Sequence, residues 1–211
     1  MSKVSRKHNT FTAFVAMLPV WLLAILCASV LCDCKNNSAD TPRRKAYPRI
    51  VTHDSSFVAV ANAPLHFEIS DIAQITLDTV IANERREGTR WLNVFYNQYN
   101  ATIHCTFTPV DDSTIDDILE NRSERMALNA GNHTSELLEL TNANGFASQI
   151  LVTEESNTTP LQFISTDNKK WVVSGALYLN GESKSNVDSI RPVINVIKRD
   201  IIHSLKMINK P

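Results

Sequence analysis

His66 and His104 are the two side chains whose placement invites chemistry. Each is a polar residue inside an apolar, alternating run, Leu65-His66-Phe67-Glu68-Ile69 and Ile103-His104-Cys105, and the two runs occupy equivalent places in consecutive hairpin-like segments. Two converging imidazoles beside carboxylates can hold a metal or share a proton transfer. The spacing speaks against such a pair, because the histidines at 53, 66, 104, 133 and 203 stand singly, without the short intervals common at zinc sites. Histidines on the polar faces of strands are more often simply solvated. The acid pairs Asp111-Asp112, Asp116-Asp117 and Glu154-Glu155 suit general acid–base work, yet they fall at turns and helix starts, where carboxylates serve as caps and surface charge. There is no Gly-x-Ser-x-Gly elbow, no glycine-rich phosphate loop and no His-Glu-x-x-His helix, and the chain holds only five glycines. The sequence therefore nominates no catalytic residue, no metal ligand and no cofactor.

A different chemistry is written at the N-terminus. Lys3, Arg6 and Lys7 precede an uncharged apolar run from Phe11 to Leu31, which closes on Cys32-Asp33-Cys34. A basic head before an apolar run orients a segment with its N-terminus in the cytoplasm and exports the chain beyond it. The polar stretch from Lys35 to Pro42 reads as a tether and favours Cys34 as a lipid-carrying cysteine, with Cys32 as the alternative. At 21 residues the run is also long enough to span a bilayer, so an uncleaved anchor is a second reading of the same segment. The organisation expected is a signal and lipidation segment over 1–34, a tether over 35–48 and a single domain over 49–211. Without its first 34 residues the chain keeps 177, with 18 basic against 21 acidic side chains. That length suits one domain with a real core, and no basic excess points to nucleic acid. Cys105 then has no partner for a disulfide. Alternation over Thr102–Phe107 puts its sulfur with Ile103 and Phe107 on a core face, as an inert thiol.

The elements that must position these residues emerge from period and turn chemistry. Leu65–Ile69 and Ala73–Leu77, separated by Ser70-Asp71, predict one hairpin; Trp91–Tyr96 and Ala101–Phe107, joined through Asn97-Gln98-Tyr99-Asn100, predict another. Ser113-Thr114-Ile115-Asp116 opens a helix over about 114–130, ended by Gly131. Thr134–Leu140 reads as a second short helical stretch before Asn144-Gly145 turns the chain. Ser148–Glu154, Leu161–Thr166 and Trp171–Leu179 are separated by short polar turns and form an antiparallel meander. Gly175 within the last of them marks a bulge or a close approach. The chain closes in an amphipathic helix capped by Asp188 or Ser189, with Pro192 in its first turn and Ile190, Val193, Ile194, Ile197, Ile201, Leu205 and Ile208 on one stripe. The fold class is α+β: an antiparallel sheet of hairpins and a meander, packed by a central helix and the C-terminal helix.

Several blocks stand in a telling order: Cys34; Arg44-Lys45-Ala46-Tyr47-Pro48-Arg49-Ile50; Leu65-His66-Phe67-Glu68; Trp91-Leu92-Asn93-Val94-Phe95-Tyr96; Tyr99-Asn100-Ala101-Thr102-Ile103; Leu161-Gln162-Phe163 with Thr166-Asp167; Gly175-Ala176-Leu177-Tyr178-Leu179-Asn180; and Asp188–Ile194 through Ile201. Together they resemble the gliding-motility lipoprotein family GldD of Bacteroidota over nearly the whole mature chain. The resemblance implies lipidation at Cys34 and a membrane-anchored envelope protein required for gliding and associated with type IX secretion, with no assigned catalysis. Asp33 departs from the small residue that usually precedes the family's cysteine, which keeps Cys32 open. Lys35-Asn36-Asn37 replaces an acidic surface-export signal, so the domain is expected to face the periplasm, on either membrane. On this reading the chain is a non-enzymatic module whose partners are other envelope motility or secretion lipoproteins. Tyr47 and Arg49 beside the tether are its candidate contacts, since Tyr and Arg are enriched at interface hot spots. The alternative is a lipoprotein that binds a small molecule or glycan, with hydrolytic activity at a cleft holding both His66 and His104.

Overall fold

Alternation along Ala101–Pro109 sends Ile103, Cys105 and Phe107 to one side of a strand and Thr102, His104 and Thr106 to the other, and the whole domain is layered on that division. In the computed structural model the described residues are 56–78, 88–153, 159–180 and 187–210. The chain separates into two units, Met1–Pro48 and Arg49–Pro211, and every described residue belongs to the second. In order the described elements are β1 (Phe57–Ala59), β2 (Glu68–Ser70), β3 (Gln74–Asp78), β4 (Arg90–Tyr96), β5 (Ala101–Pro109), α1 (Ile115–Ala130), β6 (Ser135–Thr141), β7 (Ala147–Thr153), β8 (Leu161–Thr166), β9 (Trp171–Leu179) and α2 (Val187–Met207).

Seven strands form one antiparallel sheet in the order β3-β4-β5-β9-β8-β7-β6. It consists of two meanders, β3 to β5 and β6 to β9, joined where β5 and β9 pair from Ala101↔Leu179 to Pro109↔Trp171. Register then fixes which side chains share each face. One row across all seven strands is Leu77, Leu92, Cys105, Gly175, Phe163, Ile150 and Leu138, apolar throughout. The neighbouring row on the opposite face is Thr76, Asn93, His104, Ala176, Gln162, Leu151 and Leu137.

The apolar face carries the main core. Val193, Ile197, Ile201, Leu205 and Ile208 of α2 and its extension pack there with Leu65, Phe67 and Ile69, each buried chain of this size contributing about 1.5–3 kcal/mol. Gly175 provides a close approach: a Cβ there would lie 2.5 Å from the Phe163 ring and 3.2 Å from Cys105 Sγ. Cys105 is buried as expected, and burial pushes its thiol up to about 12, which removes it from nucleophilic chemistry near neutrality. Tyr96 is held well above the usual phenol range, first by burial and then by Asp200, to which its hydroxyl is hydrogen bonded. The opposite face is covered in part by α1, through a smaller cluster of Met126, Ile164 and Val172.

The second hairpin, the meander and both long helices form as the sequence predicts; four local expectations do not. Leu65–Ile69 does not pair with Ala73–Leu77. Instead β2 pairs with β1, in register Val58↔Ile69, while β3 pairs with β4. The turn at Ser70-Asp71 does occur, but Leu65, Phe67 and Ile69 are drawn over the apolar face against α2. Residues 135–141 are the edge strand β6 rather than a helix, because Glu136, Leu138 and Leu140 alternate toward α2, Glu136 meeting Lys198 at 3.1 Å and the leucines packing on the main core. At the start of α1 the cap position falls on Thr114 rather than Ser113 and makes no side-chain capping bond; Asp111 closes the preceding turn, its Oδ1 accepting from the Ser113 N–H and hydroxyl and from the Thr114 hydroxyl. In α2 the helix begins at Val187, so Asp188 and Ser189 fall inside it and Pro192 lies one turn deeper than expected.

Asp167 ties off the β8–β9 turn. Its Oδ1 accepts from the backbone N–H groups of Lys169, Lys170 and Trp171, and its Oδ2 lies 2.9 Å from Lys210 Nζ. Burial alone would raise this carboxyl, but the three N–H donors and the Lys210 ammonium hold it below its ordinary value. A depressed carboxyl stabilises the fold above its unfolded pKa and loses that contribution as pH falls through the folded value. In denaturant titrations, the stability advantage of the native chain over Asp167→Asn should therefore be full near neutrality and shrink below about pH 4. A difference independent of pH would contradict this assignment.

Candidate functional site

The predicted histidine pair is not assembled. His66 belongs to the layer over the apolar face, where its backbone exchanges hydrogen bonds of 2.9 and 2.8 Å with Asn209. His104 points from β5 to the opposite face, since its neighbours Ile103 and Cys105 fill the main core. Among the described residues no three His, Cys, Asp or Glu side chains group as a metal site would require. His203 of α2 is half-buried: Nε2 lies 2.7 Å from Glu68 Oε2 and the ring stacks on Phe57 at 3.5 Å between centroids. With Ser204 Oγ donating to the Glu68 carbonyl at 2.6 Å, this contact holds the β1–β2 ribbon on α2. Of the acid pairs, Asp116 and Asp117 lie in the first turn of α1, where they suit the helix dipole. Glu154-Glu155 lies outside the described residues, as do Cys32, Cys34, Tyr47, Arg49 and the whole signal and tether.

The described domain presents a different concave site, between α1 and the polar face of the sheet. Its floor comes from adjacent registers of β4, β5, β9 and β8, with Trp91, Thr106, Ser174 and Ile164 in one row and His104, Ala176 and Gln162 in the next. Tyr178 stands edge-on to His104, with 5.2 Å between ring centroids. Helical spacing brings Arg122, Arg125, Met126 and Asn129 to the groove along one stripe of α1. Asn129 Nδ2 donates to Gln162 Oε1 at 2.9 Å, and Gln162 Nε2 donates to the Met126 carbonyl at 3.1 Å, so two amides lock the helix to the sheet. His104 Nδ1 donates to Asn93 Oδ1 at 2.6 Å, which leaves Nε2 as an acceptor in the neutral ring and a donor once protonated. The groove encloses about 150 Å³.

The sequence held the parts of this site without their adjacency. Arg122 and Arg125 are three apart on a predicted helix, and His104, Trp91 and Tyr178 occupy strand positions, but their convergence depends on β5 pairing with β9 across some 70 residues of chain.

The profile of the family described as gliding motility lipoprotein GldD matches residues 37–209. The chain belongs to this family. The match takes in every described strand and helix and begins within the expected tether, so the GldD character extends to the lead-in as well as the α+β domain. No curated protein matches the chain. Membership of a lipoprotein family implies attachment to a membrane of the cell envelope. Among the described residues no helix is long and apolar enough to cross a membrane, and α2, whose outer face carries Arg191, Arg199 and Lys206, packs on the sheet.

Proposed function

We propose that this GldD-family domain is a non-enzymatic component of the gliding apparatus, associated with type IX secretion, tethered through Cys34 and facing the periplasm. The observation that carries the reading is the family match from residue 37 to 209, which covers most of the expected tether along with the domain. The geometry agrees with an interaction role: the two histidines that motivated a hydrolytic cleft lie on opposite faces of the sheet, whereas the open groove combines Trp91, Tyr178 and two arginines. Those residue types dominate protein interfaces.

A tagged copy purified from crosslinked, detergent-solubilised envelopes is expected to bring other motility or secretion components with it, identified by mass spectrometry. The pair Tyr47→Ala and Arg49→Ala should reduce that recovery if the lead-in forms part of the contact. A protein recovered without partners after effective crosslinking would overturn the assembly role.

A further inference from the structure

We propose that the groove between α1 and the polar face of the sheet receives a carboxylate presented by a partner polypeptide, either an acidic side chain or a chain terminus. Size makes the first selection. A volume of about 150 Å³ matches a cavity that takes a single benzene-sized group and falls below the roughly 300–1,000 Å³ of pockets built for free metabolites or cofactors. The groove therefore suits one group projecting from a larger molecule.

Charge makes the second selection. None of the lining residues is acidic, while Arg122 and Arg125 are cationic. One acid, Asp78, stands opposite Trp91 in the β3–β4 register but is not among the residues that line the groove. Arg122 is already engaged within the domain. Arg125 is exposed and makes no ion pair with any described residue, so its planar fork remains available to a carboxylate. A further donor lacks an acceptor: among the described residues the Trp91 indole N–H has no hydrogen-bond partner and is buried. An oxygen reaches it only where neighbouring side chains move aside, and a ligand that did so would satisfy a donor the domain leaves unpaired. Trp91 and Tyr178 add the rigid aromatic surface on which a peptide backbone or methylene stem packs. The assignment rests on the interaction role proposed above and gives that role its partner chemistry.

The test uses the full chain in detergent and three fluorescently labelled peptides followed by anisotropy: hexaglutamate with an amidated C-terminus, hexaglutamine with a free C-terminus, and amidated hexaglutamine. Binding of the first over the third assigns an acidic side chain, and binding of the second assigns a chain terminus. In either case affinity should fall with added salt and drop about tenfold or more in Arg125→Glu and in Trp91→Phe. Arg125→Gln, checked by circular dichroism, gives the same comparison if the charge reversal disturbs folding. Equal affinity for all three peptides, or a bound peptide unaffected by both Arg125 variants, would overturn the proposal. So would inorganic phosphate that competes at concentrations where the peptide itself saturates, since the groove would then be a site for free anions. Envelope crosslinking separates the two levels: partners recovered equally by the native chain and by Arg125→Glu would leave the assembly role standing and remove the groove from it.

Discussion

Replacing Cys34 with alanine is expected to abolish incorporation of labelled fatty acid into the protein. The expectation comes from the basic head, the apolar run and the polar stretch after the cysteine, and from membership of a lipoprotein family whose match begins three residues after this cysteine. The effect should be all or none, because acylation requires the thiol. Membrane association by itself is the wrong readout. If the variant escapes processing it retains 21 consecutive uncharged residues, Phe11–Leu31, enough to hold the chain in a bilayer without any lipid. Label and mobility together decide the matter: loss of label with retention of the full-length precursor supports Cys34. Label retained in Cys34→Ala but lost in Cys32→Ala would move the anchor two residues upstream, to the position after Leu31 rather than after Asp33. Label absent from the native chain as well would point to the uncleaved span. Secure attachment has a physical basis, since each buried methylene adds about 0.8 kcal/mol and one short acyl chain gives only marginal binding.

How far the rest was legible depends on whether local pattern and tertiary pairing agreed. The meander from Ala147 to Leu179 was readable because its strands are separated by polar turns too short for any crossover, and Asp167-Asn168 supplies both an acceptor and a positive φ. Helix α1 was readable from its apolar spacing and from Gly131, whose N–H closes on the Ala127 carbonyl. Ser135–Thr141 was not, because Glu, Leu, Leu, Glu and Leu favour a helix by propensity while pairing with β7 and contact with α2 draw them into a strand. The first hairpin failed for a related reason. Local turn chemistry at Ser70-Asp71 was correct, but whether β2 then lies in the main sheet or over it depends on which surface can bury Leu65, Phe67 and Ile69. Only the finished sheet with α2 across it settles that. The groove inherits the same limit: Trp91, His104, Arg125 and Tyr178 share no local signature and become neighbours only through the join of the two meanders.

Asn142→Ala is expected to cost about 2–4 kcal/mol and to lower Tm by roughly 5–15 °C. Few polar side chains in the described domain carry so much of its closure. Asn142 is buried in the β6–β7 turn, where its Nδ2 donates to the carbonyls of Leu205 and Ile208 at 3.0 and 2.9 Å. Its Oδ1 accepts from the N–H groups of Asn144 and Phe146, at 2.9 and 3.0 Å. The last carbonyls of a helix have no intrahelical donor, so one amide satisfies the end of α2 and the turn of the sheet's outer hairpin together. Alanine leaves all four groups without that partner in a place where water enters poorly, beside the fully buried Phe146. Asn142→Asp is the sharper comparison, because it keeps the acceptor and replaces the donor with an anion facing helix C-terminal carbonyls, so it should be at least as damaging. Asn144→Ala removes only one bond, the donation of its exposed Nδ2 to the Ile208 carbonyl at 3.0 Å, and should cost less than about 1 kcal/mol. The consequence extends beyond the turn, since Asn209 immediately follows Ile208 and pairs with His66, which leads into β2. If the amide anchors the end of α2, hydrogen exchange in Asn142→Ala should accelerate at His66 and Asn209 as well as at Asn144 and Phe146. Acceleration confined to the turn, or a variant within about 0.5 kcal/mol of the native chain, would show that the packing of Leu205 and Ile208 holds the helix end without help from the amide.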